Sequence, residues 1–129
     1  MPIYAHMSAL ALIVMMISIF GARPAQAAEE QAVIVHFEHT GDWADFFEWE
    51  PKIEKAVKGS HAGDYDGNEL AVNGSDGKIY MYGPSADQLL MVARPYLQAA
   101  TFLKNKMATL RYGDAKDPHA REVNIPIKP

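Results

Sequence analysis

Asp64–Gln88, DYDGNELAVNGSDGKIYMYGPSADQ, holds two strands, the turn between them and the start of a helix in one run. Leu70–Val72 and Lys78–Tyr82 flank Asn73-Gly74-Ser75-Asp76-Gly77, whose glycines supply the positive φ that a hairpin return needs. The pattern predicts two antiparallel strands. Gly83-Pro84 then breaks the second strand, and Ser85 with Gln88 forms an S-x-x-Q capping box ahead of Leu89, Val92, Ala93, Tyr96 and Leu97, spaced for one helical face.

On the N-terminal side, Val33, Val35 and Phe37 alternate with Ile34, His36 and Glu38, the period of a strand with one apolar face. Phe46, Trp49, Ile53, Ala56 and Val57 then recur at three and four, giving a helix over Trp43–Val57 that ends near Gly59. Pro51 is tolerated in a first turn, which places the regular helix from about Glu48 or Trp49. Pro95 falls inside the second helix and predicts a bend over Met91–Arg94. Met107–Tyr112 alternates again, and Val123–Ile127 offers a short edge strand that Pro126 limits. The order β-α-β-β-α-β predicts an α+β fold of the ferredoxin-like kind, a four-stranded antiparallel sheet with two helices on one face.

The compartment is written ahead of the domain. Leu10–Phe20, LALIVMMISIF, is an unbroken apolar run of signal-peptide length, too short for a membrane span of roughly 20 residues. Ala25-Gln26-Ala27 is an A-x-A cleavage pattern, so residues 1–27 read as a signal peptide cleaved after Ala27, with export to the periplasm and no stable membrane anchor afterwards. The n-region lacks Lys and Arg and relies on His6 and the terminal amine, and a start at Met7 is the alternative. The remaining chain reads as a single α/β domain over 28–113 and a polar, proline-containing tail over 114–129. There are no cysteines, which excludes thiol catalysis, thiolate metal sites and disulfides. Acidic residues outnumber basic ones, 16 to 12, with no basic cluster, and nucleic acid is not an expected partner.

Phe47-Glu48 and Glu54, then Gly63-Asp64-Tyr65-Asp66-Gly67-Asn68-Glu69, Asp76-Gly77, Tyr80-Met81-Tyr82-Gly83-Pro84, Ala86-Asp87, Leu89, Pro95 and Leu110-Arg111-Tyr112-Gly113 together carry a resemblance. The chain resembles a family of small uncharacterised bacterial proteins with a Y-D-G-N-E and Y-x-Y-G-P-x-A-D pattern. The resemblance spans nearly the whole mature chain and implies a compact α/β fold; it brings no activity, substrate or catalytic residue. The signal sequence and Pro51 depart from the family pattern, and the first departure puts a cytoplasmic role in doubt.

Three candidate sites stand out. Asp64-x-Asp66-Gly67-Asn68 opens like a calcium loop, yet Glu69 stands where glycine belongs and Ser75 where the bidentate glutamate belongs. A structural turn entering the second strand accounts for the same Asp64, Asp66, Asn68 and Glu69 without a cofactor. His36 and Glu38 share a strand face, where a metal or an acid/base pair needs a third member, and where polar residues facing water need none. Tyr80 and Tyr82 share one face of the third strand, Ile79 and Met81 the other, so whichever pair faces away from the helices leaves apolar groups beside Ile34 on the open side. His39, His61 and His119 lack ligand spacing, and the start of the second helix reads as a cap rather than an anion site. No nucleophile elbow, P-loop or dinucleotide fingerprint occurs.

The sequence therefore supports a binding or interaction module that uses the open sheet face, as a homodimer or with a protein partner. A metal-dependent or acid/base enzyme built on His36, Glu38 and the Asp64–Glu69 loop is the second expectation, and an inhibitor or immunity-type protein the third.

Overall fold

Alternating apolar residues on strands and three-four spacing on helices bury one face of each element, and one sheet collects them. The computed structural model describes residues 30–129, so the apolar run and the cleavage site after Ala27 lie outside the described residues. The elements are β1 (Gln31–Glu38), α1 (Ala44–Ser60), β2 (Asp64–Leu70), β3 (Asp76–Gly83), α2 (Ala86–Ala99), β4 (Lys104–Arg111) and β5 (Glu122–Pro126). Among the described residues the fold is α+β, a five-stranded antiparallel sheet in the order β2-β3-β1-β4-β5 with two helices.

Central β1 aligns Val33 with Met81 and Leu110, and Val35 with Ile79 and Ala108. These side chains meet Phe46, Ile53 and Val57 of α1 and Leu89, Ala93 and Leu97 of α2 in one core. Phe46 is its aromatic hub: its ring lies 5.6 Å from Phe37, 5.7 Å from Trp43 and 5.7 Å from Trp49. The other sheet face is left to Ile34, His36 and Glu38 and their neighbours, as period two requires.

The sheet has five strands, not four. Glu122–Pro126 pairs with β4 from Arg111↔Glu122 to Met107↔Pro126, and Ile127 beyond it is buried, its N–H donating to Lys106 O at 2.9 Å. Pro126 is tolerated because β5 is an edge strand, where a missing donor faces no neighbour. The stretch Asp64–Glu69 is a strand rather than a loop, and β2 ends at Leu70 where the sequence pattern began it. Two features obscured it: its exposed residues are nearly all polar, and a bulge between Tyr65 and Asn68, with Gly67 at φ 96, interrupts the alternation.

α1 is regular from Ala44, so Pro51 lies inside it rather than in its first turn. Pro51 and Phe47, the residue whose carbonyl loses its partner, both sit on the exposed side, where water replaces the missing N–H. α2 is capped as expected by Ser85, whose Oγ accepts from Gln88 N–H at 3.2 Å, while the amide of Gln31 on β1 accepts from Ala86 N–H at 2.8 Å. The helix continues through Pro95 to Ala99. At its far end buried Lys106 donates to Ala100 O and Leu103 O at 2.8 and 3.2 Å, and desolvation holds its ammonium below the usual lysine range.

Candidate functional site

The open face of the sheet is built by register. β1 places Ile34 beside Tyr80 on one side and Thr109 on the other, Ala32 beside Tyr82 and Arg111, and His36 beside Lys78 and Met107. Ile34, His36, Glu38, Tyr80 and Tyr82 thus lie on one face, away from both helices. Ile34, Tyr80 and Tyr82 are half-buried by one another, and Met107 is exposed. The centre is apolar and aromatic; around it stand Lys78 and Arg111 with Glu69, Asp76 and Glu122, a surface mixed in sign. Tyr80 O–H donates to Glu69 Oε1 at 2.7 Å, which fixes the ring and pushes the phenol up to about 12.

His36 and Glu38 do not pair with each other. His36 Nε2 meets Asp76 Oδ2 at 3.1 Å, and Ser75 O–H donates to Asp76 Oδ1 at 3.2 Å; these bonds hold the Asp76 carboxyl below the usual carboxylate range. Glu38 instead takes the amide N–H of Asn105, a contact permitted by the slip in the β1–β4 register between His36 and Glu38. At this end of the sheet His36, Glu38, Thr40, Ser75, Asp76 and Lys104 line a hollow of about 410 Å³.

His39, a loop residue in the sequence pattern, also lines that hollow and is its buried polar anchor. Nδ1 meets Gly74 O at 3.0 Å, Nε2 meets Asp45 Oδ1 at 2.9 Å, and the ring stacks on Trp43 at 4.1 Å with planes 19° apart. Both ring nitrogens are committed, so His39 ties the β2–β3 turn to the start of α1 and has no nitrogen left for a substrate. Its sequence signal was only a histidine between a strand and two aromatics, which is too common to read.

Asp64, Asp66, Asn68 and Glu69 do not converge on a cation. Asn68 Nδ2 donates to Glu50 of α1 at 2.6 Å on the helix side of the sheet, whereas Glu69 accepts from Tyr80 on the open face, so the bulge between Tyr65 and Asn68 leaves these groups divided between the two faces. Among the described residues no group of three or more His, Asp or Glu has the arrangement to hold a metal ion, and no helix is long and apolar enough to cross a membrane. Glu50, absent from the expected site, is the partner that organises β2: it also accepts from Tyr65 O–H at 2.6 Å.

Burial and the Glu50 carboxylate raise the Tyr65 phenol far above its ordinary 10.0, and the Asp87 carboxylate raises Tyr112. Above that value the unfolded chain releases these protons while the folded chain keeps them, so stability falls as pH rises beyond about 10. Lys106 acts in the opposite sense, since the folded chain binds its proton less tightly, but it is one group against three. Urea unfolding midpoints should drop steadily above about pH 10, with part of the tyrosinate absorbance appearing only on unfolding. Uniform titration of every tyrosine near the ordinary value, at constant midpoint, would contradict these contacts.

No protein-family model matches the chain, and neither the curated proteins nor the solved structures include a match.

Proposed function

We propose that this is a small exported binding module, acting in the periplasm after cleavage behind Ala27, whose working surface is the open sheet face and whose first occupant is a second copy of the chain. The strand order β2-β3-β1-β4, with β5 added at one edge, supports a ferredoxin-like frame, in which two helices cover one face and leave the other for contacts. The Y-D-G-N-E and Y-x-Y-G-P-x-A-D strings support kinship with the family of small uncharacterised bacterial proteins.

The observation that carries the reading is the register that sets Ile34 between Tyr80 and Thr109, with Tyr82 and Met107 alongside. The sheet edges are poor alternatives. β2 presents a bulge with Asp64, Asp66 and Glu69, and β5 is five residues long and ends in Pro126, both devices that discourage strand addition. The face, being mixed in sign, does not repel its own copy turned about a two-fold axis. Five strands spaced about 4.8 Å apart and some seven residues long span roughly 600 Å² per copy, about 1,200 Å² in a pair, the low end for a specific interface. Interfaces at that low end belong to weak, reversible association, for which a micromolar Kd is the working value. Hydrogen exchange mapped at low and high protein concentration should show added protection confined to β1, β3 and β4; protection spread along β2 or β5 instead would place association at an edge and overturn the reading.

One observation favours an enzyme as the second reading: the His36–Asp76 pair sits at the mouth of the 410 Å³ hollow beside Glu38. That reading requires an activity that His36→Ala removes and Ile34→Glu leaves.

A further inference from the structure

Away from the sheet face, the first half of α1, the last turn of α2 and the loop that follows it border a second, open hollow of about 370 Å³, whose lining includes Asp45, Glu48, Trp49, Lys52, Tyr96 and Phe102. Its volume falls in the range of small-molecule sites, about 300–1,000 Å³. Three aromatic residues and two acidic ones line it. Trp49 and Phe102 stand 6.1 Å apart with ring planes at 79°, so they meet as two walls of a corner rather than stacking shut. Trp49 is held in place from behind, its indole N–H donating to Tyr96 O at 3.2 Å and its ring 5.7 Å from Phe46. Tyr96 and Phe102 remain open to solvent in part, while Trp49, 7% exposed, shows the hollow only a margin of its ring.

The charges are as particular as the rings. Asp45 shares its carboxylate with His39, whereas Glu48 makes no ion pair and no side-chain hydrogen bond among the described residues. Lys52, one turn on from Glu48, is the single basic lining group and makes no ion pair with it. An anion would meet two carboxylates, and a neutral guest would gain only area. A cation gains both the ring faces, through cation–π contact, and the carboxylates, through charge attraction. A primary ammonium would compete with Lys52 for Glu48 and would bring three N–H donors, which the ring faces satisfy poorly. A quaternary ammonium has no N–H to satisfy and sheds water at lower cost.

We propose that this corner binds a small quaternary ammonium compound of the choline class, methyl groups against Trp49, Tyr96 and Phe102 and positive charge toward Glu48. The site is independent of the sheet face and survives the failure of the dimer reading. It can be tested on the processed protein by following the Trp49 indole and Phe102 amide resonances while choline is added, in parallel with its neutral isostere, in which carbon replaces nitrogen. Choline should produce saturable shifts confined to this corner with a Kd on the order of millimolar, and the isostere should bind at least about tenfold more weakly because it keeps the shape and loses the charge. Glu48 and Lys52 are exposed on α1, so their variants fold. Glu48→Gln should weaken choline about fivefold and Lys52→Gln should tighten it about twofold. Equal affinity for choline and the isostere, weaker binding in Lys52→Gln, or no saturable shift would each overturn the proposal.

Discussion

Phe46→Ala removes about 3–5 kcal/mol of stability, while Phe47→Ala, one residue away, changes it by less than about 0.5 kcal/mol. Phe46 is fully buried and its ring touches those of Phe37, Trp43, Phe47 and Trp49, joining β1 to both ends of the first half of α1. Truncation leaves a cavity that four rings cannot close, because Trp43 is held by its bond to Ala71 O at 2.9 Å and Trp49 by its bond to Tyr96 O. Phe47 is 57% exposed and loses little. A domain of about 100 residues has roughly 5–15 kcal/mol in total and melts about 4–8 °C lower for each kcal/mol lost, so the Phe46 variant should melt tens of degrees below the parent. Denaturant unfolding of both variants measures the contrast directly. A small loss at Phe46 would mean that the aromatic cluster is not the core's centre.

The second large effect is at a glycine. Gly74→Ala should cost about 2–5 kcal/mol, the sum of left-handed backbone strain at a non-glycine residue and the loss of a buried hydrogen bond. Gly74 sits in the β2–β3 turn at φ +79, and a Cβ there would stand 2.0 Å from the carbonyl oxygen of Gly41. Either the β1–α1 loop or the turn must move, and Gly74 O is the acceptor for His39 Nδ1, so the movement pulls apart the His39–Asp45–Trp43 assembly. Gly67→Ala is the internal comparison. It has φ +96 but nothing within 4 Å of a new Cβ, so only the strain of about 1–2 kcal/mol applies. Equal losses at the two glycines would show that the close approach of Gly41 to Gly74 contributes nothing.

The parts of the molecule that were legible in the sequence are those where one physical requirement dominates. The alternation of Val33, Val35 and Phe37 and the spacing of Phe46, Trp49, Ile53 and Val57 located the core, because burial of one face is the strongest constraint on a strand or a helix. The Ser85 cap was legible for the same reason, since a free helix N–H has few partners to choose from. β2 was displaced because its edge position leaves its exposed side chains polar and its bulge breaks the period, so that a strand reads as a turn. β5 was underestimated because Pro126 counts against a strand except at an edge, and edge position is a property of the sheet, not of the segment.

The candidate sheet face was legible in outline, since His36, Glu38 and Ile34 alternate with the core residues and Tyr80 with Tyr82 does so on β3. What period two cannot convey is the pairing across strands. That His36 meets Asp76 rather than Glu38, that Glu38 meets Asn105, and that Glu50 of α1 organises Tyr65 and Asn68 all depend on register and packing between segments distant in the chain. Lys106 was illegible for a related reason: a lysine on the buried face of β4 contradicts the pattern, and only the carbonyls of Ala100 and Leu103 at the end of α2 explain it.

Whether two copies meet through the open sheet face is decided by sedimentation velocity of the processed protein beside its Ile34→Glu variant. Ile34 lies at the centre of the face and outside the core, so the variant should keep the parent's melting temperature within a few degrees. Over about 0.1 µM to 100 µM, a range that brackets a micromolar Kd, the parent should pass from monomer to dimer and Ile34→Glu should remain a monomer throughout. A parent that stays monomeric over that range, or an Ile34→Glu protein that dimerises as the parent does, would rule out the open sheet face as the dimer interface.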